Sequence, residues 1–238
     1  MSNMTHEQSM LLVLSWSALA IWPFRRAVRD EPEQAHTDSA EEEAANPAID
    51  HMDWGIRLGM LGRFERAAER FEQAIQAAPD EPSAHYNLAL AIDLAGDHSR
   101  ARDNYLRAAE LCPDFCDTHA NLGVAFLDLG DRDKAMESLR RACELDPSDP
   151  IPYFDIGCIL LAEGKWKKAA AEFRKAVTAD PKDAQTRFNL AMALRRAGKA
   201  REAEQESRDF LALARGRYPE QREYAARLLE SEFGEQGG

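Results

Sequence analysis

The chain is short of positive charge: its 30 Lys and Arg face 42 Asp and Glu, for a formal net charge of −12. Affinity for nucleic acid rests largely on cations that neutralise phosphates, so this balance argues against a nucleic-acid partner. Cysteine is scarce too. Cys112 and Cys116 lie close together, but Cys143 and Cys158 fall on different helices and make no second pair. A zinc site wants a second pair or histidines at ligand spacing. The four are therefore expected to be small apolar side chains in a reducing compartment, with a disulfide or metal as the lesser alternative. There is no GxGxxG, no P-loop, no GxSxG and no HExxH. Without a constellation of that kind the chain is expected to be no enzyme, with no cofactor and no metal.

Long apolar runs are also rare. The one run is Met10–Phe24, MLLVLSWSALAIWPF, which carries no charge. As a helix it spans about 22 Å, against about 30 Å of hydrocarbon in a bilayer. No basic stretch precedes it, as a cleaved signal would want, whereas Arg25, Arg26 and Arg29 follow it directly. The leading expectation is a single-pass N-terminal membrane anchor with the remainder on the cytoplasmic side. A cleaved signal on an exported chain, and an apolar helix packed on protein in a soluble chain, are the alternatives. Residues 25–47 are acidic and nearly free of large apolar side chains, and are expected to form a disordered tether.

What the chain does have is a period. Residues 116–149 read CDTHANLGVAFLDLGDRDKAMESLRRACELDPSD. His119, Leu122, Gly123 and Phe126 fall on one helical face, and Ala135, Leu139 and Ala142 on another. Gly130 suits a left-handed helix end, and Pro147 stops the second helix. Such a helical hairpin cannot bury its own apolar face, and the pattern recurs every 34 residues. Pro79, Pro113, Pro147 and Pro181 share one column, Gly62, Gly96, Gly130, Gly164 and Gly198 another, and Ala67, Ala101, Ala135, Ala169 and Ala203 a third. Trp54, Leu88, Leu122, Ile156 and Leu190 share one phase of the first helix, and Phe71, Tyr105, Leu139 and Phe173 one phase of the second.

These columns resemble the tetratricopeptide repeat (TPR) over residues 48–217. The resemblance implies an all-α, right-handed α-solenoid of five units, 48–81, 82–115, 116–149, 150–183 and 184–217. The fifth unit departs from the pattern, with Ser207 for the aromatic, Phe210 for an alanine and Arg215 for the proline. Residues 218–238 follow, where Tyr224, Ala225, Leu228 and Leu229 form a stripe suited to a capping helix before a frayed tail.

The same resemblance implies that the first helix of each unit lines a concave groove. The sixth repeat position then gives a polar ladder, Asp53, Asn87, Asn121, Asp155 and Asn189. Amides in a row suit the backbone of an extended peptide, although Asn also bonds locally to nearby backbone. Tyr86, Phe154 and Phe188 at the fifth position are candidate anchors. Asp128 adds negative charge in the third unit, and Arg195 and Arg196 positive charge in the fifth. No Lys stands at the second or fifth positions, which speaks against a carboxylate clamp for chaperone C-termini. His51, His85 and His119 recur at one position but are too far apart to share a metal, and are expected to fill space between first helices. The chain is thus expected to be a membrane-tethered scaffold or adaptor holding a protein or peptide segment. The alternative is a structural or assembly subunit of a membrane-associated complex, acting through self-association or outer-surface contacts. The oligomeric state is left open.

Overall fold

The computed structural model describes residues 47–233. The apolar run 10–24 and the acidic stretch 25–46 lie outside the described residues, as do 234–238. Among the described residues there are eleven helices and no strand. No helix among them is long and apolar enough to cross a membrane.

The helices follow as hairpins in the expected register. They are α1 (Pro47–Met60) with α2 (Phe64–Ala77), α3 (Pro82–Leu94) with α4 (His98–Leu111), α5 (Cys116–Asp128) with α6 (Arg132–Leu145), α7 (Pro150–Ala162) with α8 (Trp166–Ala179), and α9 (Ala184–Arg196) with α10 (Ala200–Ala214), followed by α11 (Pro219–Phe233). The chain divides into two compact units, one through Ser138 and the other from Leu139.

Local chemistry sets the helix ends. At the end of α3, Gly96 sits at φ +94, a left-handed conformation that costs glycine little. Its N–H donates to Asp93 O, and the Asp97 N–H donates to Ile92 O, which satisfies carbonyls the helix leaves open. The glycine of each other hairpin turn repeats the geometry. Helix starts are capped by carboxylates: Glu81 accepts from Ser83 N, Asp149 from Ile151 N, and Asp183 from Gln185 N and Thr186 N. Pro82 and Pro150 occupy the first turn, where a missing N–H costs nothing.

In the unit through Ser138, Phe71 and Tyr105 on the second helices are fully buried. Gly55 lets α1 lie directly on Phe71; a Cβ there would meet the ring at 2.4 Å. Tyr105 packs against Tyr86 at 5.9 Å between ring centroids, and Tyr86 packs against Phe115 at 4.9 Å. α1 begins the described array. Its Trp54, in phase with the buried Leu88, is 57 % exposed, and Ile49 and Leu61 are 58 % and 69 % exposed.

In the unit from Leu139, Phe173 repeats this arrangement against Gly157 and Phe154. The fifth hairpin solves the same packing problem one turn later. Ser207 is buried with its hydroxyl donating to Ala203 O at 2.8 Å. Phe210, one turn further along α10, supplies the missing ring and packs on Phe188 at 5.1 Å. Ala225 of α11 joins this cluster with Phe188, Met192, Phe210 and Ala214, and Tyr218 and Tyr224 pack against it. The hairpin ends without proline, on Arg215 and Gly216 in left-handed conformations.

Three of the joints between hairpins are clasped from the following repeat. His85 Nε2–H donates to Pro79 O, and His119 Nε2–H donates to Pro113 O, each at 2.8 Å. In the fifth hairpin Arg187 holds the same place, with Nε and Nη2 donating to Pro181 O and Nη1 donating to Glu206 at 2.8 Å. Two of the recurring histidines, His85 and His119, therefore serve the joints.

Phe210→Ala removes a fully buried ring from the last hairpin. It should cost about 3–5 kcal/mol, read as a lower denaturation midpoint, with early loss of α10 and α11 in hydrogen exchange.

Candidate functional site

The first-helix ladder is regular in sequence, but its rungs differ in depth and bonding. Asp53 on α1 is exposed. Asn87 on α3 is buried, and its amide donates back to Ser83 O at 2.9 Å. That is the local bonding a short polar side chain favours. Asn121 on α5 is half-buried and donates to the Tyr86 hydroxyl of the preceding hairpin at 3.0 Å. Its amide thus bridges two neighbouring first helices, and its Oδ1 has no partner among the described residues.

Asp155 and Asn189 belong to the other unit. Asn189 is fully buried, and neither of its amide atoms is bonded. An unsatisfied buried amide of this kind costs about 1–3 kcal/mol. Asp155 is half-buried and has no hydrogen bond or ion pair among the described residues. Burial pushes its carboxyl up to about 7, and the nearby negative charge of Asp149 adds to the effect. The residue is partly exposed, yet protein packs around its carboxyl, which is recessed and uncompensated.

The candidate aromatic anchors lie in the core. Tyr86, Phe154 and Phe188 are each buried against a ring of their own hairpin. They shape the surface from beneath. The positive end is engaged as well. Arg195 Nη1 donates to the Tyr224 hydroxyl of α11 at 2.6 Å, and Arg196 lies over the Trp166 ring at 5.2 Å.

Asp128 ends α5 beside a residue that the repeat pattern does not mark. His98 Nδ1 lies 2.8 Å from Asp93 Oδ1 and 3.5 Å from Asp128 Oδ2. Burial raises the pKa of Asp93 and of Asp128, the latter to about 6, while the His98 imidazole opposes both shifts. His98 is itself raised, first by its hydrogen bond to Asp93. In sequence the only hint was Asp93, His98 and Asp128 at the ends of adjacent helices.

The four cysteines form no disulfide among the described residues and are half-buried. Burial pushes the Cys143 thiol up to about 12 and raises Cys158 well above its usual value, so neither supplies a thiolate at neutral pH.

Family profiles described as Tetratricopeptide repeat match residues 52–114 and 154–208, and residues 116–149. No curated protein sequence matches the chain. Several solved structures share the fold. One is MamA from Desulfovibrio magneticus RS-1, with TM-score 0.65 and 19% identity, covering 73% of this chain and 98% of that one. YrrB aligns with TM-score 0.61 and 19% identity, covering 86% and 97%. TTC0263 from Thermus thermophilus aligns with TM-score 0.58 and 23% identity, covering 76% and 98%. With the 34-residue register, the glycine turns and the paired helices all in place, the chain belongs to the tetratricopeptide-repeat family.

Proposed function

We infer that the protein is a binding scaffold that holds a peptide or protein segment along its first helices, and that its role is capture, not catalysis. The observation that carries this reading is Asp155. A recessed carboxyl with no internal partner, raised to about 7 by burial, costs stability whenever it is ionised. A basic group on a ligand would supply the missing charge. In the unit through Ser138, Asn121 Oδ1, free among the described residues, suits a backbone N–H of a bound segment. The fold relative YrrB is described as a TPR protein with an unusual peptide-binding site, so the architecture is compatible with such a role. Asn87 contributes less, since its amide is committed to its own helix. In the tethered form of this reading, residues 10–24 hold the array at a membrane.

The assembly reading draws on a separate observation, the exposed Ile49, Trp54 and Leu61 on the first hairpin. Exposed apolar side chains of this size suit contact with another protein surface or a second copy.

Asp155→Asn separates binding from folding. The wild-type carboxyl is held near 7 when folded and near 3.8 when unfolded. Between those values the folded state binds the extra proton, so wild-type stability falls as pH rises from about 4 to about 7 and then levels off. The variant should lose this slope and be more stable at pH 8, by at most about 4 kcal/mol, with water access to the carboxyl lowering that figure. On a peptide array, the same variant should lose ligands that carry Lys or Arg. Undiminished binding of basic peptides at pH 8 would falsify the role given to Asp155. For the assembly reading, Trp54→Glu should convert any self-associated species to monomer in light scattering; an oligomer that survives the change removes the first hairpin from that interface.

A further inference from the structure

The geometry points to a divalent transition-metal site, of the zinc class, formed by Asp93, His98 and Asp128. Three helix ends meet there. Asp93 lies in the last turn of α3, His98 is the first residue of α4, and Asp128 is the last of α5. One imidazole nitrogen and two carboxylate oxygens all lie within 4.8 Å of one another. A tetrahedral zinc ion with bonds of about 2.0–2.2 Å places its ligand atoms about 3.4 Å apart. Asp128 Oδ2 already stands 3.5 Å from His98 Nδ1, and Asp93 Oδ1 at 2.8 Å has only to draw back by about half an ångström.

The chemistry of the donors selects the ion. One imidazole with two carboxylates suits Zn²⁺ and its neighbours in the first transition row, whereas Ca²⁺ and Mg²⁺ ask for six or more oxygens. The side chains of Asp93, His98 and Asp128 are 14%, 36% and 21% exposed, which leaves room for water in the fourth position. No Lys or Arg pairs with Asp93 or Asp128 among the described residues, and Asp97 adds a further negative charge near His98. Among the described residues His98 is therefore the only cation-forming group that compensates the two carboxylates. An ion at this point would tie the second hairpin, through α3 and α4, to the third through α5. It is independent of the peptide site proposed above, which rests on Asp155.

The test uses the full chain, stripped of metal, titrated with Zn²⁺ by calorimetry and with Co²⁺ by absorption. One ion per chain is expected. Bound Co²⁺ should show visible d–d bands without a sulfur charge-transfer band, and Zn²⁺ should raise the thermal midpoint. His98→Ala and the near-isosteric Asp128→Asn should each weaken binding at least about tenfold, with helical circular dichroism unchanged. Cys112→Ser with Cys116→Ser should leave it intact. Absence of binding, equal affinity in both ligand variants, or a sulfur charge-transfer band that vanishes with the cysteines would overturn the assignment.

Discussion

The hairpins of Phe71, Tyr105, Phe173 and Phe210 each depend on a large side chain of the second helix seated against the first. The contact is close enough to constrain both partners. Where the ring is Phe71 or Phe173, the facing residue is a glycine, and a single added carbon would lie inside the ring's van der Waals envelope. Where the ring is absent, as at Ser207, the chain recovers it one turn later with Phe210. The volume is thus required, while the position that supplies it can move by a turn. The other features follow from filling this seat. The first-helix aromatics stack on the ring, and the polar rungs one residue further along take whatever depth that stacking leaves them.

This explains which parts of the structure were legible in the sequence. A strict period reports which face each residue occupies, because the helix repeat fixes angle. The hairpins, the glycine turns and the helix after Pro219 follow from angle alone. Depth is another matter. Asn87, Asn121 and Asn189 share one angle, yet one bonds to its own helix, one bridges to Tyr86, and one is buried with no partner. The difference comes from the bulk and polarity of neighbours in adjacent units, which the period does not carry. Tyr86, Phe154 and Phe188 show the same limit: the family resemblance implied that they line a groove, and the structure buries them in the core. Trp54 shows the reverse, since its column is buried elsewhere and exposed where no earlier described hairpin covers it.

The polar groups of the first helices carry opposite kinds of cost. Asn87 and Asn121 are hydrogen-bonded and help to fix how first helices sit. Asp155 and Asn189 are not, and each works against the folded state. Stability alone would have replaced them with apolar side chains of similar volume. Both lie in the unit from Leu139, where the Tyr224 hydroxyl of α11 also accepts from Arg195 of α9.

The clasp at the joints has a consequence for how such a chain can change. His85 and His119 reach back to the carbonyl of Pro79 and Pro113, and Arg187 does the same at Pro181. Insertion of a single residue between the proline and its donor would rotate the donor by about 100° on its helix and leave the carbonyl unclaimed. A hairpin turn tolerates small changes within its own unit, but the joint measures its length from both sides. Where the clasp is present, the 34-residue spacing thus behaves like a gauge kept at the joint, and duplication or loss of whole repeats disturbs it far less than the gain of one amino acid.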